Sequence, residues 1–298
     1  MLKTSTTESA MASGGDTVKL KLTIAFDGTE YAGWQFQKSG TAVQELMEKA
    51  VEEIFPGGHH VHGSSRTDSG VHARGMVAHV ELPRPQFRMP VPKIRLALNA
   101  RLPEDIRVVE VQQVPVTFHA RFDASGKEYR YTVWNHAVMN PMLFRFAWHV
   151  PHQLDVRRMK EAAPVFQGCH DFRSFATNHT YVVEDTVRTL TRVELRQSGS
   201  QLTFILEGDG FLYRMCRSIV GTLIQLGRGR YALDDIRSML ESKDRRTGGM
   251  SAPACGLSLW KVFYRRDGKS VPRRRRLSEP MLAPVSDPIP DPPLEGIQ

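Results

Sequence analysis

The chain of 298 residues is long enough for one large domain or two modest ones, with a core that needs no covalent staples. Forty Lys and Arg against 32 Asp and Glu leave a formal charge of +8 and a pI near 9.5, which favours a polyanionic partner over an acidic one. Cys169, Cys216 and Cys255 form no Cys-x-x-Cys pair and no apolar run is long enough for a membrane span, so a zinc or redox motif and a transmembrane chain are excluded and a reducing cytoplasm fits.

Residues 1–16 are rich in Ser, Thr, Gly and Ala without periodicity and read as a disordered leader lacking an apolar signal core. Val18, Leu20, Leu22, Ile24 and Phe26 then alternate with Lys19, Lys21, Thr23 and Ala25, the period of a strand with one buried face. Asp27-Gly28 ends that strand in a turn. Thr41-Ala42-Val43-Gln44 has the form of a capping box, and Val43, Leu46, Met47, Ala50, Val51 and Ile54 recur at helical spacing behind it. Met76 to Leu82 and Glu128 to Trp134 read as strands, with a helix after Asp155 and strands over Val187 to Gln197 and Gln201 to Gly208. A helix is expected from about Leu212 to Leu226, with Met215, Ile219, Thr222 and Leu226 on a packing side and Arg214, Arg217 and Gly221 on a side free to meet an anion. A short helix around Asp235 to Leu240 and a strand from Leu257 to Tyr264 close the ordered body. Arg273 to Arg276 and the proline-rich segment after them, within residues 267–298, cannot build a core and read as a disordered tail. Two successive halves, 17–115 and 116–266, each mixing antiparallel strands with helices, point to an α+β protein whose sheets are covered on one side. The uncovered faces are then candidates for lining a shared cleft.

The most informative stretch is Ser64-Ser65-Arg66-Thr67-Asp68-Ser69-Gly70-Val71-His72-Ala73. Gly70 can take a positive φ and turn the chain sharply, aiming Asp68 into a cleft, and Arg66 two residues earlier is placed to hold the carboxylate ionised and oriented. Local chemistry alone also fits a surface turn with an Asx-type hydrogen bond and an incidental ion pair. The loop from Asp27 to Gln37 is dense in glycine, aromatics and amides, so Tyr31 and Trp34 either stack on bases or cover a sheet edge. Arg66, Arg74, Arg121, Arg130, Arg214 and Arg217 are candidates for phosphate contacts. His59, His60 and His62 lack the partners and spacing of a zinc site, and no Gly-x-Ser-x-Gly elbow supports Ser64 or Ser65 as a hydrolase nucleophile.

Several blocks, taken together, resemble the tRNA pseudouridine synthase A (TruA) family. They include Phe26-Asp27-Gly28-Thr29-x-Tyr31-x-Gly33-Trp34-Gln35, Arg66-Thr67-Asp68-Ser69-Gly70-Val71-His72-Ala73, Leu98 to Pro103, Phe118 to Phe122, and Lys127-Glu128-Tyr129-Arg130-Tyr131. Asp171-Phe172-x-Ser174-Phe175, Phe211-x-x-x-Met215-x-Arg217-x-Ile219-Val220-Gly221 and Ala252 to Leu257 follow in family order. The resemblance implies two tandem α/β subdomains of RRM-like layout, joined in one continuous, mostly antiparallel sheet with a basic cleft and helices on one face. It implies a cytoplasmic homodimer that isomerises uridine to pseudouridine at positions 38, 39 and 40 of the tRNA anticodon arm, with no metal and no organic cofactor. Asp68 matches the family's nucleophile, Arg66 the arginine that pairs with it and fills the space left by the flipped base, and Tyr129 the aromatic that packs on the target uracil. Arg217 and Leu257 match further pocket residues. Ser65 and Ser69 depart from the family's usual Gly-Arg-Thr-Asp-Ala-Gly, and a positive φ at Ser65 would strain it by about 1–3 kcal/mol. The competing class is an RNA-binding module or tRNA chaperone that has lost activity; the intact Arg66, Asp68 and Tyr129 set argues against it.

Overall fold

A computed structural model describes residues 16–37, 40–177 and 185–265. The expected leader, the Arg273 to Arg276 run and the proline-rich tail lie outside the described residues, apart from Asp16. In chain order the elements are β1 (Thr17–Phe26), α1 (Val43–Glu52), β2 (His62–Gly63), β3 (His72–Pro83), α2 (Val91–Asn99), β4 (Ile106–Val114), β5 (Ala124–Trp134) and β6 (Trp148–His149). They continue with α3 (Val156–Ala162), β7 (Gly168–Asp171), β8 (Val187–Ser198), β9 (Gln201–Gly208), α4 (Met215–Gly227), α5 (Leu233–Ser242) and β10 (Leu257–Tyr264).

The strands form one mixed, mostly antiparallel sheet in the order β4-β1-β3-β10-β5-β9-β8-β7, with β2 paired to β3 and β6 to β5. The last of the described strands, β10, inserts at the middle. It runs parallel to β3, with Ser258 opposite His72 and Leu259 opposite Ala73, and antiparallel to β5, with Leu257 opposite Tyr131 and Leu259 opposite Tyr129. The start of β3, the start of β10 and the middle of β5 therefore meet, although they are far apart in sequence.

Alternation explains which side is covered. Tyr129, Tyr131 and Val133 are buried, whereas Arg130, Thr132 and Trp134 between them keep partial exposure. On the second side Arg130, Thr132, Gln201, Thr203, Ser258 and Trp260 line an open cavity of about 530 Å³. This is the α+β arrangement expected.

Two local expectations are corrected. The capping box does not form, because α1 begins at Val43 with Ala42 at its N-cap and no side-chain cap. The exposed N–H groups of its first turn are met by the loop before it, Val43 N donating to Gly33 O at 3.1 Å and Gln44 N to Trp34 O at 2.9 Å. The second correction is α4, which has no solvent face: all its residues from Met215 to Gly227 are buried, including Arg217. It packs against α3 and β5 and close to the segment before β10, and a helix enclosed by neighbours must be covered all round.

Candidate active site

The loop carrying Asp68 is held by backbone bonds, to which Ser69 Oγ adds one, donating to Tyr31 O at 3.2 Å. Trp34 N donates to Thr67 O at 3.2 Å, Gly70 N to Tyr31 O at 3.2 Å, and Val71 N to Asp68 O at 3.2 Å. Gly70 has φ +75°, as the sharp turn requires, and a Cβ there would also come within 3.2 Å of the Ala254 Cβ. Gly33, at φ +98°, lets the neighbouring loop lie so close that a Cβ would meet Thr67 O at 2.3 Å. The residues from Asp27 to Gln37 are thus the support of the acidic loop. Tyr31 and Trp34 are buried core residues, the Tyr31 hydroxyl donating to Asp105 Oδ1 at 2.6 Å, so neither serves as a stacking platform.

His72 fastens the other end of the loop. Its Nδ1 lies 3.0 Å from both Gly28 N and Asp27 Oδ1, and its Nε2 lies 3.0 Å from Cys255 O, joining the β1 turn, the acidic loop and the entry to β10 through one buried ring.

Asp68 meets α4. Arg217 Nη1 lies 3.3 Å from Asp68 Oδ2, and Arg217 Nε donates to Ala252 O at 2.6 Å. The Arg217 side chain is 2% exposed and that of Asp68 18%, so a buried guanidinium faces a carboxylate that still opens to solvent. A cation this deep needs both partners, because an unpaired buried charge is costly. Arg66, the sequence neighbour expected to pair with the acid, is exposed instead. The turn at Gly70 presents Asp68 inward, and the opposite charge comes from 149 residues away.

Tyr129 and Leu257 complete the wall. The Tyr129 ring is buried, meets Phe211 edge-on at 5.0 Å, and sets its hydroxyl 2.9 Å from Ser65 Oγ. Burial, with Cys216 and Asp68 nearby, pushes its phenol well above the ordinary tyrosine range, so the ring is neutral at physiological pH. Burial and the same carboxylate raise the Tyr213 phenol and hold the Cys216 thiol protonated. Leu257 is buried at the first position of β10. The site opens on the α4 side of the sheet rather than on the uncovered side, since Tyr129 points opposite to its neighbour Arg130.

Of the arginines considered for phosphate contact, Arg217 belongs to this buried pair. Arg130 binds Glu128 Oε1 at 2.6 Å and stacks with Arg74 on the Trp260 ring, at 3.9 and 4.5 Å, on the far face. Arg66 stays at the rim. His62 joins His79 and His119, its ring 4.9 Å from that of His79 and 6.3 Å from that of His60. Sequence reasoning gave no role to Lys127, Phe211, Tyr213 or Cys216; their proximity to Tyr129 and Asp68 comes from the sheet order, although Phe211 and Lys127 stand inside the blocks that carry the resemblance. Ser65 is not in the left-handed region, so the feared strain is absent.

A family model described as tRNA pseudouridine synthase matches residues 22–123 and 162–265. Among curated proteins, the chain is 43% identical over 247 residues to the tRNA pseudouridine synthase A of Anoxybacillus flavithermus, covering 83% of this chain and 98% of that protein. It is 43% identical over 250 residues to the protein of the same name from Geobacillus kaustophilus, covering 83% and 95%. It is 40% identical over 245 residues to tRNA pseudouridine synthase A 2 of Clostridium perfringens, covering 82% and 99%.

Proposed function

The chain belongs to the tRNA pseudouridine synthase family, isomerases acting on tRNA uridine, and we propose that it converts uridines 38, 39 and 40 of the tRNA anticodon arm with Asp68 as nucleophile. The observation that carries this reading is the Asp68 carboxylate set 3.3 Å from the buried Arg217 guanidinium beside Tyr129. A base inside a helix is out of reach of a carboxylate on a protein loop, so the target nucleotide has to leave the stack. The exposed Arg66 is then available for the vacated space, and the Tyr129 ring offers a face to the extruded uracil.

Isomerisation breaks the bond from C1′ to N1 and forms one from C1′ to C5. One proton leaves C5 and one is taken up at N1, so the reaction is proton-neutral overall. An ionised Asp68 serves it by attacking the ribose, by attacking the ring, or by removing a ribose proton, and in each case Arg217 keeps the carboxylate charged and aimed. Tyr129, as the residue assigned to face the uracil, is also the group assigned to help remove the C5 proton. The net charge of +8 supplies the sequence-independent attraction for the phosphate backbone.

We read the working form as a cytoplasmic homodimer. Val138, Met142, Phe144 and Phe146 are exposed within the connection between β5 and β6, and Phe146 also lines the cavity on the uncovered side of the sheet. An apolar patch of that kind marks a contact surface. Light scattering should give twice the chain mass, with Met142→Asp shifting it towards the monomer. Mapping pseudouridine in tRNA from cells with and without the protein tests the site assignment: positions 38 to 40 should revert to uridine, and loss at other positions only would overturn it.

A further inference from the structure

We infer that Ser65 and Lys127 form a hydrogen-bond relay that sets the phenol of Tyr129, which makes Ser65 a positioning residue for the reaction. The inference rests on the reading of Tyr129 as the residue facing the target uracil. Ser65 Oγ lies 2.9 Å from Tyr129 Oη, and Lys127 Nζ donates to the same Ser65 Oγ at 3.3 Å. Lys127 and Tyr129 are two residues apart on β5 and project to one side of it, so the serine reaching in from the acidic loop bridges them.

The direction of the relay follows from the donors. An ammonium group only donates, so Ser65 Oγ accepts from Lys127. Among the described residues the other partner of Ser65 Oγ is Tyr129 Oη, and the serine hydroxyl donates to that oxygen whenever the phenol gives up its proton. Of the influences on this phenol, burial, Cys216 and Asp68 all oppose negative charge on the oxygen, and the Ser65 bond alone favours it. The relay therefore acts on the one group whose oxygen must accommodate a proton passing to or from the uracil. A glycine at position 65 has no atom to make this bond.

The serine is well anchored for such a task. Ser64 N donates to Val77 O at 2.7 Å immediately before it, and the backbone at Ser65 itself is unstrained.

The test is a double-mutant cycle read by turnover on anticodon-arm tRNA. Loss of one hydrogen bond to the reacting group should lower kcat of Ser65→Ala by about three- to tenfold, with KM and melting temperature nearly unchanged. Ser65→Thr, which keeps the hydroxyl, should recover most of it, and Lys127→Met should slow turnover less than Ser65→Ala. In a Tyr129→Phe background Ser65→Ala should have no further effect, because the atom it acts through is gone. The same fold-loss in both backgrounds, or parental turnover by Ser65→Ala, would overturn the relay while leaving Tyr129 in its role. Parental turnover by Tyr129→Phe would instead remove the phenol oxygen from the proton transfer, and the relay with it, while leaving the ring facing the uracil.

Discussion

Replacing Arg217 with Met removes the charge that faces Asp68 while filling most of the same volume. The loss includes two interactions of known geometry. The Nε bond to Ala252 O, at 2.6 Å, is a hydrogen bond from a charged donor and contributes roughly 1.5–3 kcal/mol. The ion pair at 3.3 Å has a gross attraction of about 5 kcal/mol at an effective dielectric of ~20. Desolvation of the buried guanidinium and solvent screening at the partly exposed Asp68 offset most of that, leaving a net of about 1 kcal/mol. The expected loss is therefore about 3 kcal/mol, which for an ordered body of this size lowers the melting temperature by roughly 6–12 °C. Calorimetry measures it, and single-turnover assays well below the melting point separate the chemical effect, expected to be at least about a hundredfold in rate because the carboxylate loses its orienting partner. A melting temperature within a degree of the parent would refute the burial argument. Parental turnover would refute the idea that Arg217 governs Asp68.

Gly70→Ala places a side chain at φ +75° and against Ala254, so it should cost about 1–2 kcal/mol and displace Asp68; parental turnover and stability would show that the loop tolerates the strain. The His62, His79 and His119 cluster should make the protein acid-sensitive. Burial, with His119, His62 and Lys19 nearby, lowers His79 to about 3 from an ordinary 6.5, and burial lowers His62 and His119 in the same direction. The unfolded chain then binds more protons below pH 6.5, so stability is intact above that value and falls as pH drops towards 3, by up to about 1.4 kcal/mol per pH unit from His79, with His62 and His119 acting in the same direction. Denaturant titrations of the parent and of His79→Gln at pH 7 and pH 5 measure this; an equal dependence in both would exclude His79 as a source.

What the sequence made legible follows from how local each signal is. β10 has the bounds expected from its pattern, and β1 begins one residue earlier than its alternation suggests, because each carries its buried face in its own residues. α2 and β4 were not legible: α2 has only Ile94 and Leu98 buried and begins between Pro90 and Pro92, and β4 has a register shift opposite β1 that breaks its alternation. The all-round burial of α4 depends on what surrounds it, so its amphipathic reading failed although its position was nearly right. The acid itself was visible through Gly70 and its flanking residues. Its ionic partner was not, since Arg66 is near in sequence and Arg217 is near in space, and only the insertion of β10 between β3 and β5 brings the second arrangement about. Ser65 first registered as a departure from the family loop, and only its distance to Tyr129 gives that departure a purpose.

The most direct measurement is pseudouridine formation by Asp68→Asn on anticodon-arm tRNA, with binding of the same tRNA measured alongside. The amide keeps the shape and can still accept from Arg217 but cannot serve as an ionised nucleophile or base, and phosphate contacts supply most of the affinity. No detectable pseudouridine with tRNA affinity within a few fold of the parent is expected, whereas retained turnover would contradict the role of Asp68.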